Sequence, residues 1–292
     1  MKDCLKLSDM TTKEVLKILD LAKQCKQGKY RDALKGKVVA NLFFEPSTRT
    51  QYSFTMAEEL LGCKVISFNA ATSSLQKGES FYDTVKTFES FGVDALVIRD
   101  RQDEYYDQLK GKLTCAILNA GDGSSNHPTQ SLLDLMTIQE EFNTFSGLKI
   151  AIVGDIKYSR VAHTNIEIMQ RLGMECYISG PEQYREDRYP FLDFDQAVKE
   201  MDILMLLRVQ HERHQQEEQF NSCRYHEQFG LNNKRAKMMK EKAIIMHPAP
   251  FHRNIEIADD VVECKQSRIF KQMQNGVFVR MAVLLRSIGG SL

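Results

Sequence analysis

The chain has 292 residues, of which 42% are hydrophobic and 27% charged, a composition that excludes collagen-like, low-complexity and mainly coiled-coil proteins. At about 150 residues per domain, this length predicts two domains. Lys plus Arg and Asp plus Glu both number 39, so the formal net charge is zero. Nucleic-acid-binding proteins usually have a basic surplus, so we expect no nucleic-acid partner.

Membrane and metal-binding signals are weak along the whole sequence. No apolar run approaches the ~20 residues of a membrane span, and the first residues lack the apolar region of a signal peptide. We therefore expect a cytoplasmic protein with no membrane contact. The closest pair of the seven cysteines, Cys4 and Cys25, is 21 residues apart, which excludes the usual zinc-ribbon spacing. We expect free thiols, no metal and no cofactor.

Four short apolar runs in the first half of the chain predict the strands of one sheet. Nearly continuous apolar runs are typical of strands buried on both faces of a parallel sheet. The runs are Val38–Phe44, Val65–Phe68, Ala95–Ile98 and Cys115–Leu118. Between them lie apolar residues at helical spacing, namely Phe54, Ala57 and Leu61, then Phe81, Val85 and Phe88. Strands that alternate with helices indicate βαβ units and an α/β fold.

The second half of the chain repeats the alternation. Its predicted strands are Ile150–Asp155, Cys176–Ile178, Ile203–Leu206 and Ala243–Met246. Helices are predicted over residues 132–142, 160–172 and 266–287. The short polar break Asn143–Gly147 marks the expected domain boundary, and the polar residues 209–231 are predicted to form a long, mobile loop.

Ser47, Thr48, Arg49 and Thr50 stand where a buried strand turns into a helix. Backbone N–H groups are unpaired at such a point, and the helix dipole favours an anion. Three hydroxyls and a guanidinium add donors that suit a phosphate. An ordinary capped helix start explains the same residues equally well. The glycines and lysine of a Walker A motif are absent.

Other polar residues follow the predicted strands. In the first half these are Arg99, His127 and Gln130, and in the second half Arg160, Arg208 and His247. Because the carboxyl ends of parallel strands share one edge, each group is expected to converge at a ligand-binding edge. The two arginines of the second half suit a dicarboxylate or another anion. Val153-Gly154-Asp155 lacks the GxGxxG pattern, so the dinucleotide interpretation is weaker.

Seven motifs stand in an order that resembles the aspartate/ornithine carbamoyltransferase family. They are Phe44–Thr50, Gly121–Gly123, His127–Gln130, Val153–Asp155, Arg208–Gln210, His247–Pro250 and Asn275–Phe278. The resemblance runs from about residue 3 to residue 287. Ala249 stands where the ornithine branch usually has Cys, and Arg208-Val209-Gln210 also matches the aspartate branch.

This resemblance implies a fold and an activity. The fold would have two parallel-sheet βαβ domains joined by interdomain helices, with the C-terminal helix packing back on the first domain. Residues 1–142, with the helix 275–292, would bind carbamoyl phosphate, and residues 146–274 would bind L-aspartate. The reaction would be carbamoyl transfer to aspartate in pyrimidine biosynthesis, in a homotrimer whose active sites are shared between subunits. Whether regulatory or dihydroorotase subunits also bind is left open.

The resemblance also implies residue roles. Arg49, Thr50, Arg99 and His127 would be catalytic. The carbamoyl phosphate contacts would be Ser47, Thr48, Arg49, Thr50, Ser74, Lys77, Arg99, His127, Gln130, Ala249 and Pro250. Those of aspartate would be Lys77, Arg160, Arg208 and Gln210, with Ser74 and Lys77 coming from a neighbouring subunit. Phe251 and His252 separate Pro250 from Arg253, where many members place Arg directly, and Arg253 is given no role.

Three alternatives remain at this point. The enzyme could transfer the carbamoyl group to another amine such as ornithine. The chain could be a catalytically silent subunit that binds anions, although every motif position is filled. A nucleotide-binding oxidoreductase is the third alternative.

Overall fold

The computed structural model describes residues 2–209 and 222–290, which belong to two compact units. Unit 1 comprises Met1–Met136 and Met273–Leu292, and unit 2 comprises Thr137–Gln272. Each unit contains a four-stranded parallel sheet, so the predicted α/β class with two parallel-sheet domains is confirmed. The helices Pro128–Phe142 and Ile269–Ile288 both run from one unit into the other.

The sheet of unit 1 has the strand order β2-β1-β3-β4. Its strands are β1 (Val38–Phe43), β2 (Lys64–Asn69), β3 (Ala95–Asp100) and β4 (Ala116–Asp122). The apolar residues of β1, β3 and β4 are almost completely buried, whereas β2, at the edge, is partly exposed. Buried strands therefore match the continuous apolar runs of the sequence.

The sheet of unit 2 has the equivalent order β6-β5-β7-β8. Its strands are β5 (Lys149–Val153), β6 (Glu175–Ser179), β7 (Ile203–Leu206) and β8 (Ile244–Met246). All eight predicted strands are thus present, with ends shifted by a few residues.

The helices lie between the strands and at both ends of the described chain. They are α1 (Thr12–Lys26), α2 (Thr48–Leu60), α3 (Phe81–Ser90), α4 (Pro128–Phe142), α5 (Arg160–Arg171), α6 (Phe194–Glu200), α7 (Ser222–Phe229), α8 (Asn233–Ala236) and α9 (Ile269–Ile288). The C-terminal part of α9 belongs to unit 1, where the carbonyl of Ser287 accepts a 3.2 Å hydrogen bond from the Lys2 amide. Across residues 2–209 and 222–290, no helix has both the length and the apolar character of a membrane span.

The predicted loop 209–231 is wrong in its last part. Ser222–Phe229 forms α7, in which Tyr225 is buried and its ring lies 5.7 Å from that of Phe229 one turn later. Tyr225 also packs against Val209 and Tyr184. Two aromatic residues on one helical face stabilise a helix within an otherwise polar sequence. Residues 210–221 lie outside the described residues.

Candidate active site

Both sheets have a topological switch point between two central strands. In unit 1, β1 pairs with β2 on one side and β3 on the other, so the connections after β1 and β3 leave in opposite directions. β5 and β7 have the same relation in unit 2. Ligands of open parallel sheets bind at the carboxyl ends of such strand pairs. The polar motifs of the sequence follow these four strands and their neighbours β4 and β8.

The motif Ser47–Thr50 connects β1 to the first turn of α2. Ser47 is the N-cap residue, yet its side chain makes no capping hydrogen bond. By contrast, the N-cap hydroxyls of Thr11, Ser80 and Ser159 each accept a hydrogen bond from a backbone amide of their own helix. The Ser47 hydroxyl therefore does not cap α2, which weakens the ordinary-cap explanation of the motif.

Arg99, near the end of β3, is fixed by contacts to both neighbouring strand ends. Its Nη2 lies 2.8 Å from Oε2 of Glu45, directly after β1, and its Nη1 donates at 3.4 Å to the carbonyl of Ala120 in β4. The Arg99 side chain is only 12% exposed. The Phe44 amide also donates to the Arg99 carbonyl at 2.9 Å. The guanidinium is therefore oriented before any ligand binds.

His127 and Gln130 begin α4, after the turn that follows β4. His127 is 4% exposed and its carbonyl accepts a 3.0 Å hydrogen bond from the Gln130 amide. The side-chain Nε2 of Gln130 donates at 3.0 Å to Oδ1 of Asp134, one turn further along the helix. Both residues follow β4, whose carboxyl end lies at the same edge of the parallel sheet as the carboxyl ends of β1 and β3.

Ser74 and Lys77 lie in a short 3-10 helix that follows the edge strand β2. Both side chains are exposed. The neighbouring Ser73 is the N-cap of that turn, and its hydroxyl accepts from the Leu75 amide at 3.4 Å. Ser73 is thus used locally, whereas Ser74 and Lys77 are presented on the surface of the chain.

In unit 2, Gly154 lets the ends of β5 and β7 approach each other. Its φ is +123°, and a Cβ there would lie 3.0 Å from the carbonyl oxygen of Leu207. The turn after Gly154 leads to Ser159, which caps α5, and to Arg160, the first residue of that helix. Arg160 is 8% exposed. A buried arginine at the carboxyl edge of a sheet is suited to an anionic ligand.

Arg208 follows β7, and the buried carboxylate of Glu256 holds the backbone beside it. Oε1 of Glu256 accepts from the Val209 amide at 3.1 Å, and Oε2 accepts from the His252 amide at 2.8 Å. Burial raises the pKa of Glu256 above its ordinary value. Glu256 thus connects the segment that contains Arg208 to the segment after β8.

The segment His247–Pro250 follows β8. The Ala249 amide donates at 2.9 Å to Nδ1 of the buried His247, whose own amide donates at 2.9 Å to Oε1 of Gln272. Nδ1 is therefore an acceptor, so the proton of a neutral His247 ring is on Nε2. Ala249 has a φ of +53°, and the Ala249–Pro250 bond is cis. Gln210, the remaining predicted aspartate contact, lies outside the described residues.

The two halves of the sequence match two domains of one family. Residues 2–140 match the carbamoyl-P binding domain of aspartate/ornithine carbamoyltransferases, and residues 146–286 match their Asp/Orn binding domain. The chain belongs to the aspartate/ornithine carbamoyltransferase family. This membership excludes the alternative of a nucleotide-binding oxidoreductase.

Solved structures of the family have the same fold. The catalytic subunit of M. jannaschii aspartate transcarbamoylase is 33% identical, with a TM-score of 0.87 over 100% of this chain and 99% of that one. Aspartate transcarbamoylase from Trypanosoma cruzi in complex with N-(phosphonacetyl)-L-aspartic acid is 28% identical, with a TM-score of 0.87 over 97% and 94% of the two chains. Its complex with carbamoyl aspartate and phosphate gives 29% identity, also with a TM-score of 0.87 over 97% and 94%.

Several supporting residues of this family member were missed by the sequence analysis. They are Glu45, Asp134, Glu256 and Arg280. Glu45 directly precedes the Ser47 motif, and Asp134 lies four residues after Gln130, so proximity and helical spacing are signals for these two. No local pattern marks Glu256 or Arg280, because their partners are distant in sequence. Arg253 is half-exposed and forms an ion pair with Asp259.

Proposed function

We propose that this chain is an aspartate carbamoyltransferase, which transfers the carbamoyl group of carbamoyl phosphate to the amino group of L-aspartate. The products would be N-carbamoyl-L-aspartate and phosphate. The observation that supports this most is the likeness along almost the whole chain to aspartate transcarbamoylases crystallised with carbamoyl aspartate and phosphate. The residues proposed to bind the two substrates include Ser47–Thr50, which follow β1, and Arg208, which follows β7.

Unit 1 would bind carbamoyl phosphate. Ser47, Thr48, Arg49 and Thr50, with the first-turn amides of α2, would surround the phosphate. Arg99, His127 and Thr50 would contact the carbonyl oxygen, and Gln130 the carbamoyl nitrogen. The pre-oriented Arg99 supports this assignment, because donors that do not reorganise stabilise developing charge best. Backbone carbonyls of Ala249 and Pro250 would add contacts to the carbamoyl group.

The chemical step would need no strong protein base. The aspartate amine attacks the carbonyl carbon, a C–N bond forms, and the C–O bond to phosphate breaks. Arg99, His127 and Thr50 would stabilise the oxyanion, while the Ser47–Thr50 motif would hold the departing phosphate. The phosphate itself would accept the proton of the amine. Much of the acceleration would come from holding two anions together.

Unit 2 would bind aspartate through Arg160, Arg208 and Gln210. Arginine matches the planar geometry of a carboxylate, and aspartate has two of them. Lys77 would add a further cation near both substrates. The buried Glu256, which holds the backbone at Val209, would keep Arg208 in place.

The active assembly would be a homotrimer in which Ser74 and Lys77 complete the site of a neighbouring subunit. Their exposure on a short turn after an edge strand supports this role. The enzyme would act in the cytoplasm, in the synthesis of pyrimidines. Regulatory or dihydroorotase subunits remain candidates for further partners.

Initial rates with a panel of amino acceptors test the proposal. With carbamoyl phosphate held constant, L-aspartate should support turnover at least about a hundredfold better, in kcat/KM, than L-ornithine. The reason is that ornithine presents an ammonium group where Arg208 would meet the second carboxylate. Equal or better turnover with ornithine would assign the chain to the ornithine branch of the family. If no amine supported turnover, the remaining alternative would be a catalytically silent subunit that binds anions.

A further inference from the structure

Gln130 is oriented by a buried carboxylate. Asp134 is fully buried and Gln130 is 7% exposed. Nε2 of Gln130 donates at 3.0 Å to Oδ1 of Asp134. Because a carboxylate only accepts hydrogen bonds, the amide of Gln130 must turn its NH2 group to Asp134 and its oxygen to the other side.

A buried cation accompanies this carboxylate in the same unit. Arg280 of α9 is 3% exposed, and its guanidinium lies over the ring of Phe54 at 5.1 Å from the centroid. A Cβ on Gly276 would come within 2.5 Å of Nη1 of Arg280, so the glycine of the Asn275–Phe278 motif leaves space for the guanidinium. Burial and the charge of Arg99 lower the pKa of Arg280 to about 9, and the charge of Asp134 opposes that shift.

We propose that Asp134 and Arg280 are positioning residues that fix the Gln130 amide with its oxygen toward the carbamoyl group. This inference rests on the proposed function. Arg280 supplies an opposite charge for the buried carboxylate of Asp134. Asp134 then holds the Gln130 NH2 group, and Oε1 of Gln130 becomes an acceptor for the N–H of carbamoyl phosphate.

This arrangement determines specificity between two acyl phosphates of the same size. Carbamoyl phosphate presents an NH2 group where acetyl phosphate presents a methyl group. Oε1 of an oriented Gln130 accepts a hydrogen bond from the NH2 group of carbamoyl phosphate. It has no hydrogen-bond partner when the methyl group of acetyl phosphate takes that place. A Gln130 side chain that is free to flip loses this preference, because its own NH2 group then faces the ligand.

The dissociation constants of carbamoyl phosphate and acetyl phosphate, measured by calorimetry on the full chain, test the inference. In Asp134→Asn the new amide can donate to Gln130, so the preference for carbamoyl phosphate should fall about tenfold, with acetyl phosphate affinity changed less than about twofold. The double variant Asp134→Asn/Arg280→Met contains neither buried charge, so no unpaired charge is left to destabilise its fold. It should show the same tenfold lower preference for carbamoyl phosphate as Asp134→Asn.

Asp94→Asn is the matched control. Asp94 precedes β3 at the opposite edge of the same sheet, where it accepts from the Val38 amide at 2.9 Å. The control should keep the wild-type ratio, even where it lowers stability. The inference is overturned if the double variant keeps the wild-type ratio of the two dissociation constants. It is also overturned if this ratio falls as much in the control as in Asp134→Asn. If the wild-type chain makes no carbamoyl aspartate, the proposed function is refuted instead. A failure of the proposed function is thereby distinguished from a failure of the Gln130 inference.

Discussion

The arginines at the carboxyl edge of the first sheet differ in how they are held. Arg99 is fixed between Glu45 and Ala120, whereas Arg49 is exposed at the start of α2. An exposed side chain usually adds little to folding, whereas the role proposed for Arg49 is to bind phosphate. This contrast leads to a prediction for Arg49.

Arg49→Ala should lose about 3 kcal/mol of transition-state stabilisation, because a charge-assisted donor to a phosphate dianion is stronger than a neutral one. That loss corresponds to about a 150-fold fall in kcat/KM for carbamoyl phosphate. The melting temperature should change little. Arg31→Ala, an exposed arginine before β1, serves as control and should keep full activity. Activity like wild type in Arg49→Ala would remove the phosphate role.

Glu58 is a second residue with a testable consequence. It is fully buried on α2, where Oε2 accepts from Nδ2 of Asn41 at 2.7 Å. Among the described residues, Oε1 of Glu58 and Oδ1 of Asn41 have no hydrogen-bond partner. Burial raises the pKa of Glu58 to about 8. The fold therefore favours the protonated carboxyl group of Glu58. Its O–H adds one hydrogen-bond donor beside Oδ1 of Asn41 and Oε1 of Glu58, which otherwise have no donor among the described residues.

The stability of the chain should fall with rising pH because of Glu58. Between its unfolded pKa of about 4.3 and about 8, the native state binds the extra proton, so the stabilisation present below 4.3 is lost as the pH rises. Glu58→Gln stays neutral, and its free energy of unfolding relative to wild type should rise by about 3 kcal/mol between pH 5 and pH 8. Denaturant titrations at both pH values measure this. A difference that stays constant with pH would show that Glu58 does not titrate in this range.

At the scale of elements, the strands were the most predictable part of the fold. Their apolar runs are continuous because helices and loops cover both faces of each sheet. Helix α1 was missed, although Thr11 and Glu14 form a capping box at its start. Helix α7 was missed because only the Tyr225–Phe229 pair marks it locally, and its other contacts, from Tyr225 to Val209 and Tyr184, join distant parts of the sequence.

The division of the substrates between the two sheets is a prediction at this scale. Arg208→Ala should raise the KM for aspartate about ten- to a hundredfold, because a charged hydrogen-bond pair is lost. Binding of carbamoyl phosphate alone, measured by calorimetry, should stay within about twofold. Arg171→Ala removes an exposed arginine at the end of α5 and should change neither quantity. A collapse of carbamoyl phosphate affinity in Arg208→Ala would contradict this division.

At the scale of the whole molecule, the sequence predicted at which strand ends the candidate residues lie, but not which side chains support them. Arg99, His127 and Arg160 stand at the predicted edges because the edge follows from strand order. The contacts of Arg99 to Glu45 and of Val209 to Glu256 depend on side-chain packing, which periodicity does not reveal. The roles proposed for Ser74 and Lys77 would require a second chain.

Complementation between inactive variants tests the proposal that subunits share the active site. Lys77→Ala and Arg49→Ala proteins should each be nearly inactive as homotrimers. After mixed dissociation and reassembly, activity should return, because about one interface in four would pair an intact Arg49 with an intact Lys77 from different chains. Hybrid trimers that are seen by mass spectrometry but remain inactive would place Lys77 in the site of its own subunit or in none.

The most direct test of the central claim is product formation by the purified full chain. Carbamoyl phosphate and L-aspartate are incubated with the wild-type chain and with Arg49→Ala, and N-carbamoyl-L-aspartate is quantified by mass spectrometry together with the released phosphate. We predict equal amounts of the two products from the wild type and a rate reduced about 150-fold in the variant. Phosphate release without carbamoyl aspartate, or equal rates in both proteins, would contradict the account.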